Sequence, residues 1–155
     1  MTEQGNPPIL ELQGITKTYT TKGSFFARSG EKVVALNRVS LSIPEGAIFG
    51  LVGESGSGKT TCGRLIVRLE DPDQGRILME GEEVTGLRGR ALRNYRKKVQ
   101  MIFQDPYQSL NSQVSIFQCV AEPLIIHRLG NSPERFDRVL ETLRTVGLSP
   151  PEEYI

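Results

Sequence analysis

One octapeptide limits what this chain can fold into more than any other feature. Gly53-Glu54-Ser55-Gly56-Ser57-Gly58-Lys59-Thr60 sets two glycines, a lysine and a threonine at the spacing GxxxxGK[ST]. An apolar run, Ala47 to Val52, precedes it, and Cys62, Leu65, Ile66 and Leu69 follow at helical spacing. Strand, glycine loop and amphipathic helix in that order read as a phosphate-binding P-loop in an α/β domain. The glycines let the backbone curl so that successive N–H groups converge as an anion nest. The helix behind adds the positive end of its dipole and its unpaired N–H groups. Gly53, Ser55, Gly56, Ser57, Gly58, Lys59, Thr60 and Thr61 are therefore the expected phosphate contacts. Lys59 reaches the outer phosphates, the Thr60 hydroxyl ligates Mg²⁺, and Thr61 offers one further hydroxyl or N–H. ATP and Mg²⁺ are the expected ligands.

The remaining elements arrange themselves around that loop. Ile9 to Tyr19 reads as a strand with an irregularity at Gly14. Thr20 to Lys32 reads as a loop in which Phe25 and Phe26 can anchor to the surface. Val33 to Ile43 reads as a strand pair broken near Asn37, with Val39, Leu41 and Ile43 alternating with serines. Pro44-Glu45-Gly46 is a turn, and the run Ala47 to Val52 is expected to be a central buried strand. The helix after the loop should begin near Gly58 and end before the turn Asp71-Pro72-Asp73-Gln74-Gly75. Arg76 to Glu80 and Val99 to Phe103 read as strands around a basic helix, Leu87 to Lys98. Gln104 to Asn111 is a loop. Ile116 to His127 reads as a helix that Pro123 disturbs. Ser132 caps a last helix with Pro133 at its first position, an apolar face of Phe136, Val139, Leu140 and Leu143, and a stop at Gly147.

Composition excludes several functions. With 155 residues, 37% hydrophobic and 24% charged, the chain reads as soluble and globular rather than disordered. A net charge of +1 indicates no whole-protein attraction to nucleic acid or anionic lipid. Arg88, Arg90, Arg93, Arg96, Lys97 and Lys98 cluster, but no aromatic platform accompanies them, so a solvated helix face is the reading. Cys62 and Cys119 form no CxxC pair and cannot complete a metal set with the single His127. Both read as reduced, mostly buried thiols, and His127 as a surface or packing residue. No apolar stretch approaches the length needed to span a bilayer, so a membrane role would act through a partner.

Three stretches carry a family resemblance. Phe103-Gln104-Asp105-Pro106-Tyr107-Gln108-Ser109-Leu110-Asn111 closely resembles the Q-loop segment of ABC ATPases that serve oligopeptide and dipeptide importers. Leu51 to Thr61 has the wording usual in that subfamily. Tyr19, in Lys17-Thr18-Tyr19, stands where the family places an aromatic that stacks on adenine, and Lys22 to Glu31 looks like the subfamily's longer loop. The resemblance covers nearly the whole chain. It implies a P-loop core with an N-terminal antiparallel β subdomain and a Q-loop over residues 1–115. The start of a helical subdomain facing the membrane subunit would then occupy 116–155. It implies that Gln104 contacts Mg²⁺ or its water and couples the site to the membrane subunit, so Lys59 and Gln104 are the expected catalytic residues. It also implies a second ATPase subunit, identical or not, transmembrane permease subunits and, indirectly, a solute-binding protein. The place implied is the cytoplasmic face of the plasma or inner membrane.

The family's LSGGQ-type signature, its Asp-Glu strand and its later histidine are not among these residues. The chain is therefore expected to be the front portion of such a subunit, able to hold Mg·ATP but lacking the groups that orient the attacking water. Two other readings remain at this point. One is a nucleotide-binding module without catalysis. The other is a different P-loop enzyme, a small kinase or GTPase, using Asp105 as its Mg²⁺ carboxylate.

Overall fold

The computed structural model describes residues 8–20, 31–105 and 113–154. The chain forms two compact units, Met1–Met101 and Ile102–Ile155, each with its own core. The expected anchors Phe25 and Phe26, and Pro106 to Asn111 of the expected Q-loop, lie outside the described residues.

The first unit is built on a four-stranded antiparallel sheet, ordered β2-β1-β3-β4. Strand β1 is Pro8–Thr20, β2 is Lys32–Pro44, β3 is Gln74–Met79 and β4 is Glu82–Glu83. Strand β1 buries Leu10 and Leu12 and then Ile15, so its inward phase shifts by one residue. Gly14 makes that shift. It has φ +61, and the register slips between Leu12 and Ile15. An extra residue in one strand reverses the facing of everything after it. The close approach of β3 depends on a second glycine. A Cβ on Gly75, at φ +91, would lie 2.5 Å from the Gly14 carbonyl.

The expected break near Asn37 is a kink within one strand rather than a boundary between two. Arg38 takes φ +50 beside a register shift, and β2 continues through to Pro44. Leu36 is buried before the kink, and Val39, Leu41 and Ile43 pack against the core after it.

Helix α1, Lys59–Ile66, and helix α2, Gly89–Lys98, complete this unit. Cys62 and Leu65 of α1 and Tyr95 of α2 join Leu12, Ile15, Leu36, Ile77 and Val84 in the core. Helix α1 ends earlier than its apolar spacing predicts. Arg68 turns left-handed at φ +58, and its N–H and that of Leu69 bond back to Leu65 O and Arg64 O at 3.0 and 2.9 Å. This is a Schellman ending with arginine where glycine is usual. Leu69, expected on the buried face, is consequently exposed.

Two expected strands are not strands. Ala47 to Val52 and Val99 to Phe103 join no ladder among the described residues. Val52 is 93% exposed and Ile102 91%, whereas a central strand would be covered. A short apolar run becomes a strand only when a neighbour takes its backbone hydrogen bonds, and neither run has such a neighbour among the described residues.

The second unit carries α3, Ile116–Ile126, and α4, Ser132–Thr145, and ends in the short 3-10 helix Pro151–Tyr154. Ala121, Val139 and Leu143 form its centre, with Phe117, Val120, Leu124, Leu148 and Tyr154 around them. Pro123 does not interrupt α3; the helix runs on to Ile126, and His127 N–H bonds Pro123 O at 3.0 Å. The cap of α4 is Asn131 rather than Ser132. Its Oδ1 accepts from Glu134 N–H at 3.0 Å while Glu134 reaches back to Asn131 N–H at 2.9 Å. This reciprocal box satisfies two orphan donors and outcompetes a serine one residue later. Phe136, expected in the apolar face, is partly exposed and stands 5.5 Å from the Phe117 ring. Gly147, at φ +82, ends α4 as expected, with Leu148 N–H on Leu143 O at 3.0 Å.

Candidate functional site

The loop from Gly53 to Thr60 leads directly into α1. Ser57 N–H bonds Glu54 O at 3.2 Å, closing a turn, and Gly56 and Gly58 take φ +82 and +89. Both conformations are open to glycine at little steric cost. Gly58 is also pressed against β2. A Cβ there would lie 2.4 Å from Ala35 O and 2.8 Å from a Leu36 methyl. A side chain at Gly53 would meet Ser57 Oγ at 2.7 Å. The loop therefore depends on glycine most at Gly58, for both curvature and clearance, while at Gly53 the Ser57 side chain would have to give way.

Lys59 Nζ donates to Gly53 O at 2.7 Å, to Glu54 O at 2.6 Å and to Ser57 Oγ at 3.2 Å. The ammonium thus lies within the curl of the loop. Helix α1 starts from Gly58 with no side-chain cap and no acidic residue in its first turn. Its first N–H groups, the Lys59 ammonium and the hydroxyls of Ser55, Ser57, Thr60 and Thr61 make a set dominated by donors. Such a set fits a phosphate, which offers acceptors and negative charge. Thr60 is exposed in the first turn and Thr61 half-buried beside it.

Tyr19 is brought to the same helix. Its hydroxyl donates to Glu70 Oε2 at 2.5 Å. Desolvation first, and then the Glu70 hydrogen bond, raise the Tyr19 pKa above the ordinary phenol value. The hydroxyl therefore stays a donor at neutral pH. Two neighbours pin the strand end beneath it. Thr18 N–H bonds Asp73 Oδ2 at 2.6 Å, and Lys17 Nζ bonds Asp71 O at 2.7 Å.

Sequence reading missed Glu70, Asp71 and Asp73, which lie more than fifty positions from Tyr19, Lys17 and Thr18. One signal was available. Three acidic residues follow the C-terminus of α1, where the helix dipole disfavours them, so cations or donors must reach them from elsewhere. Arg68 was missed too. Its side chain is buried and donates to Val84 O and, at 2.7 Å, to Asp71 Oδ1, and Arg88 meets the other Asp71 oxygen at 2.9 Å. Tyr95 Oη donates to Ile66 O at 2.5 Å, tying α2 to the end of α1.

Cys62 is buried in the core, and desolvation raises its thiol pKa, as suits a packing residue. Gln104 is exposed in the second unit, in a stretch that is neither helix nor strand. Asp105 follows it there, also exposed.

Comparison with known proteins converges. The protein-family pattern described as ABC transporter matches residues 36–153. The oligopeptide transport ATP-binding protein OppF of Streptococcus mutans is 45% identical over 142 residues, which is 91% of this chain and 44% of that protein. The oligopeptide transport ATP-binding protein AppF of Bacillus subtilis is 39% identical, across 97% of this chain and 46% of that one. The chain thus spans about half the length of the curated relatives it matches. Among solved structures, the dimeric ATP-binding cassette MJ0796 bound to ADP and Pi superposes with a TM-score of 0.70 at 30% identity, over 87% of this chain and 56% of that chain. The Clostridium perfringens cbiO1 structure, at 22% identity and TM-score 0.65, shares the fold.

Proposed function

The chain belongs to the ABC transporter family, and from that premise we propose that it is the nucleotide-binding portion of an ATPase subunit that energises uptake of peptides or similar small solutes. The observation that carries this is the Lys59 ammonium held inside a glycine-curved loop at the uncapped start of α1. The names of the relatives, oligopeptide transport ATP-binding proteins, point to the same solute class.

In this reading Gly53 and Ser55 to Thr61 bind the phosphates through backbone N–H groups, hydroxyls and the Lys59 charge. Tyr19 offers its ring to the adenine. Thr60 would offer a neutral oxygen to Mg²⁺, which would spread charge over the outer phosphates, and the family resemblance assigns Gln104 a contact with Mg²⁺ or its water. On the family's pattern residues 1–115 would comprise the β subdomain and P-loop core with its Q-loop, and 116–155 would begin the helical part. That second part presents exposed Ile125 and Ile126 along an open cavity of about 640 Å³, a surface suited to a permease subunit. Among the described residues no helix is long and apolar enough to cross a membrane. Membrane attachment at the cytoplasmic face would rest on contact with permease subunits. A second ATPase subunit completes the assembly, and the dimeric MJ0796 structure supports that expectation. The family's signature motif and Asp-Glu strand are not within these 155 residues, so this portion by itself is proposed to bind Mg·ATP without turning it over.

Equilibrium binding of Mg·ATP to the purified chain tests this. Lys59→Ala removes a charge-assisted contact and is expected to weaken binding by about tenfold to a hundredfold. Unchanged affinity would refute the site. Phosphate release at saturating Mg·ATP should stay at background. Turnover that disappears with Lys59→Ala would refute the non-hydrolysing reading while leaving the site intact.

A further inference from the structure

The contacts around Tyr19 do more than place an aromatic near α1. The Tyr19 hydroxyl donates to Glu70 Oε2 at 2.5 Å, and the other Glu70 oxygen lies 3.5 Å from the Arg64 guanidinium. Arg64 projects from the last turn of α1, and Glu70 sits in the turn that follows. The carboxylate is thus fixed from the helix side before it receives the hydroxyl. At the other end of the tyrosine, Thr18 N–H is held by Asp73 Oδ2 at 2.6 Å and Lys17 Nζ by Asp71 O at 2.7 Å. Lys17 Nζ also stands 5.6 Å from the centre of the Tyr19 ring, so a base can stack only on the face that the lysine does not cover.

A half-exposed tyrosine near the end of a strand has two soft side-chain torsions. Backbone contacts alone leave the ring free to sweep. A hydrogen bond at the far tip removes that freedom and fixes the ring plane before any ligand arrives, so less ordering is left to binding. We infer that Glu70 is a positioning residue for nucleotide binding: by accepting the Tyr19 hydroxyl it sets the plane of the aromatic face on which a purine base stacks beside the phosphate loop. This rests on the proposed reading of Tyr19 as the base platform. Glu70 touches no ligand in this scheme and acts only through Tyr19.

The test separates base from phosphates by measuring dissociation constants of the full chain for Mg·ATP and for Mg²⁺ with inorganic tripolyphosphate. Glu70→Ala and Tyr19→Phe should each weaken ATP by about threefold to tenfold and leave tripolyphosphate unchanged. Glu70→Gln, which keeps an acceptor oxygen, should restore most of the lost affinity. The double variant Tyr19→Phe with Glu70→Ala should be no worse than either single variant, because both break the same bond. Tyr19→Leu removes the platform and should lower the ATP preference at least as far. If Tyr19→Leu lowers that preference while Glu70→Ala and Tyr19→Phe do not, the positioning role is overturned and the platform stands. If Tyr19→Leu also changes nothing, the platform reading itself fails. Equal weakening of both ligands by Glu70→Ala would make Glu70 merely structural and also overturn the inference.

Discussion

At the residue scale, the chemistry depends on a few side chains whose neighbours decide what they can do. Lys59 was legible from its place in a glycine loop, because a lysine there has one well-understood use. Asp71 was not, because besides Arg68 three positions earlier it draws in Arg88 at the edge of α2 and Lys17 of β1. Its carboxyl pKa is held below the ordinary value, first by the hydrogen bond from Arg68 and then by the nearby charges of Arg68, Arg88 and Lys17. A depressed folded-state pKa means the folded state binds the proton more weakly than the unfolded chain does. The stabilisation is therefore full above the unfolded carboxyl pKa of about 3.9 and is lost as pH falls through the lower folded value. Asp71→Asn should lower stability at neutral pH. The gap to the unsubstituted chain should close on acidification below about pH 4. Urea midpoints measured at several pH values check this, and a gap that widens in acid would contradict it.

At the element scale, helix boundaries followed hydrogen bonds more closely than apolar spacing. The spacing of Cys62, Leu65, Ile66 and Leu69 extends α1 through Leu69, yet the helix stops at Ile66. Arg68 imposes that stop. A non-glycine residue in the left-handed region costs about 1 kcal/mol. Arg68 offsets that cost by burying its guanidinium against Val84 O while reaching Asp71. Arg68→Gly would relieve the backbone but leave the Val84 carbonyl without this donor. We expect a net loss of about 1–3 kcal/mol in denaturant unfolding, and no loss would show that the backbone strain dominates. The last helix of the chain makes the same point at its start. Asn131 and Ser132 are both good caps by type, and only the reciprocal bonds with Glu134 decide between them.

At the scale of the whole molecule, apolar character and burial part company. Ile15 of β1 is fully buried in the core it shares with residues of α1 and α2, whereas Ile48 in the run before the loop is fully exposed. Both look like core residues in the sequence. Ile15→Ala should cost about 2–5 kcal/mol, and Ile48→Ala less than about 0.5 kcal/mol. Thermal or urea unfolding of the two variants measures the difference directly. A large loss at Ile48 would mean that this run is covered after all.

Sequence alone determined the phosphate loop, the strand β1 with its irregularity at Gly14, the basic helix and the two helices of the second unit. Each of these is governed by local rules: the steric freedom of glycine, periodicity within one element, or a cap within four residues. The family was legible for a related reason, since its motifs are short and contiguous. Tertiary structure decided everything that requires two distant segments. It decided that Glu70 holds Tyr19, that Arg68 ties the end of α1 to Val84 just beyond β4, and that Ala35 of β2 leaves no room for a side chain at Gly58. It also decided that Ala47 to Val52 and Val99 to Phe103 form no strands among the described residues. A strand is a relation between backbones, and a single run of apolar residues cannot state whether its partner is present.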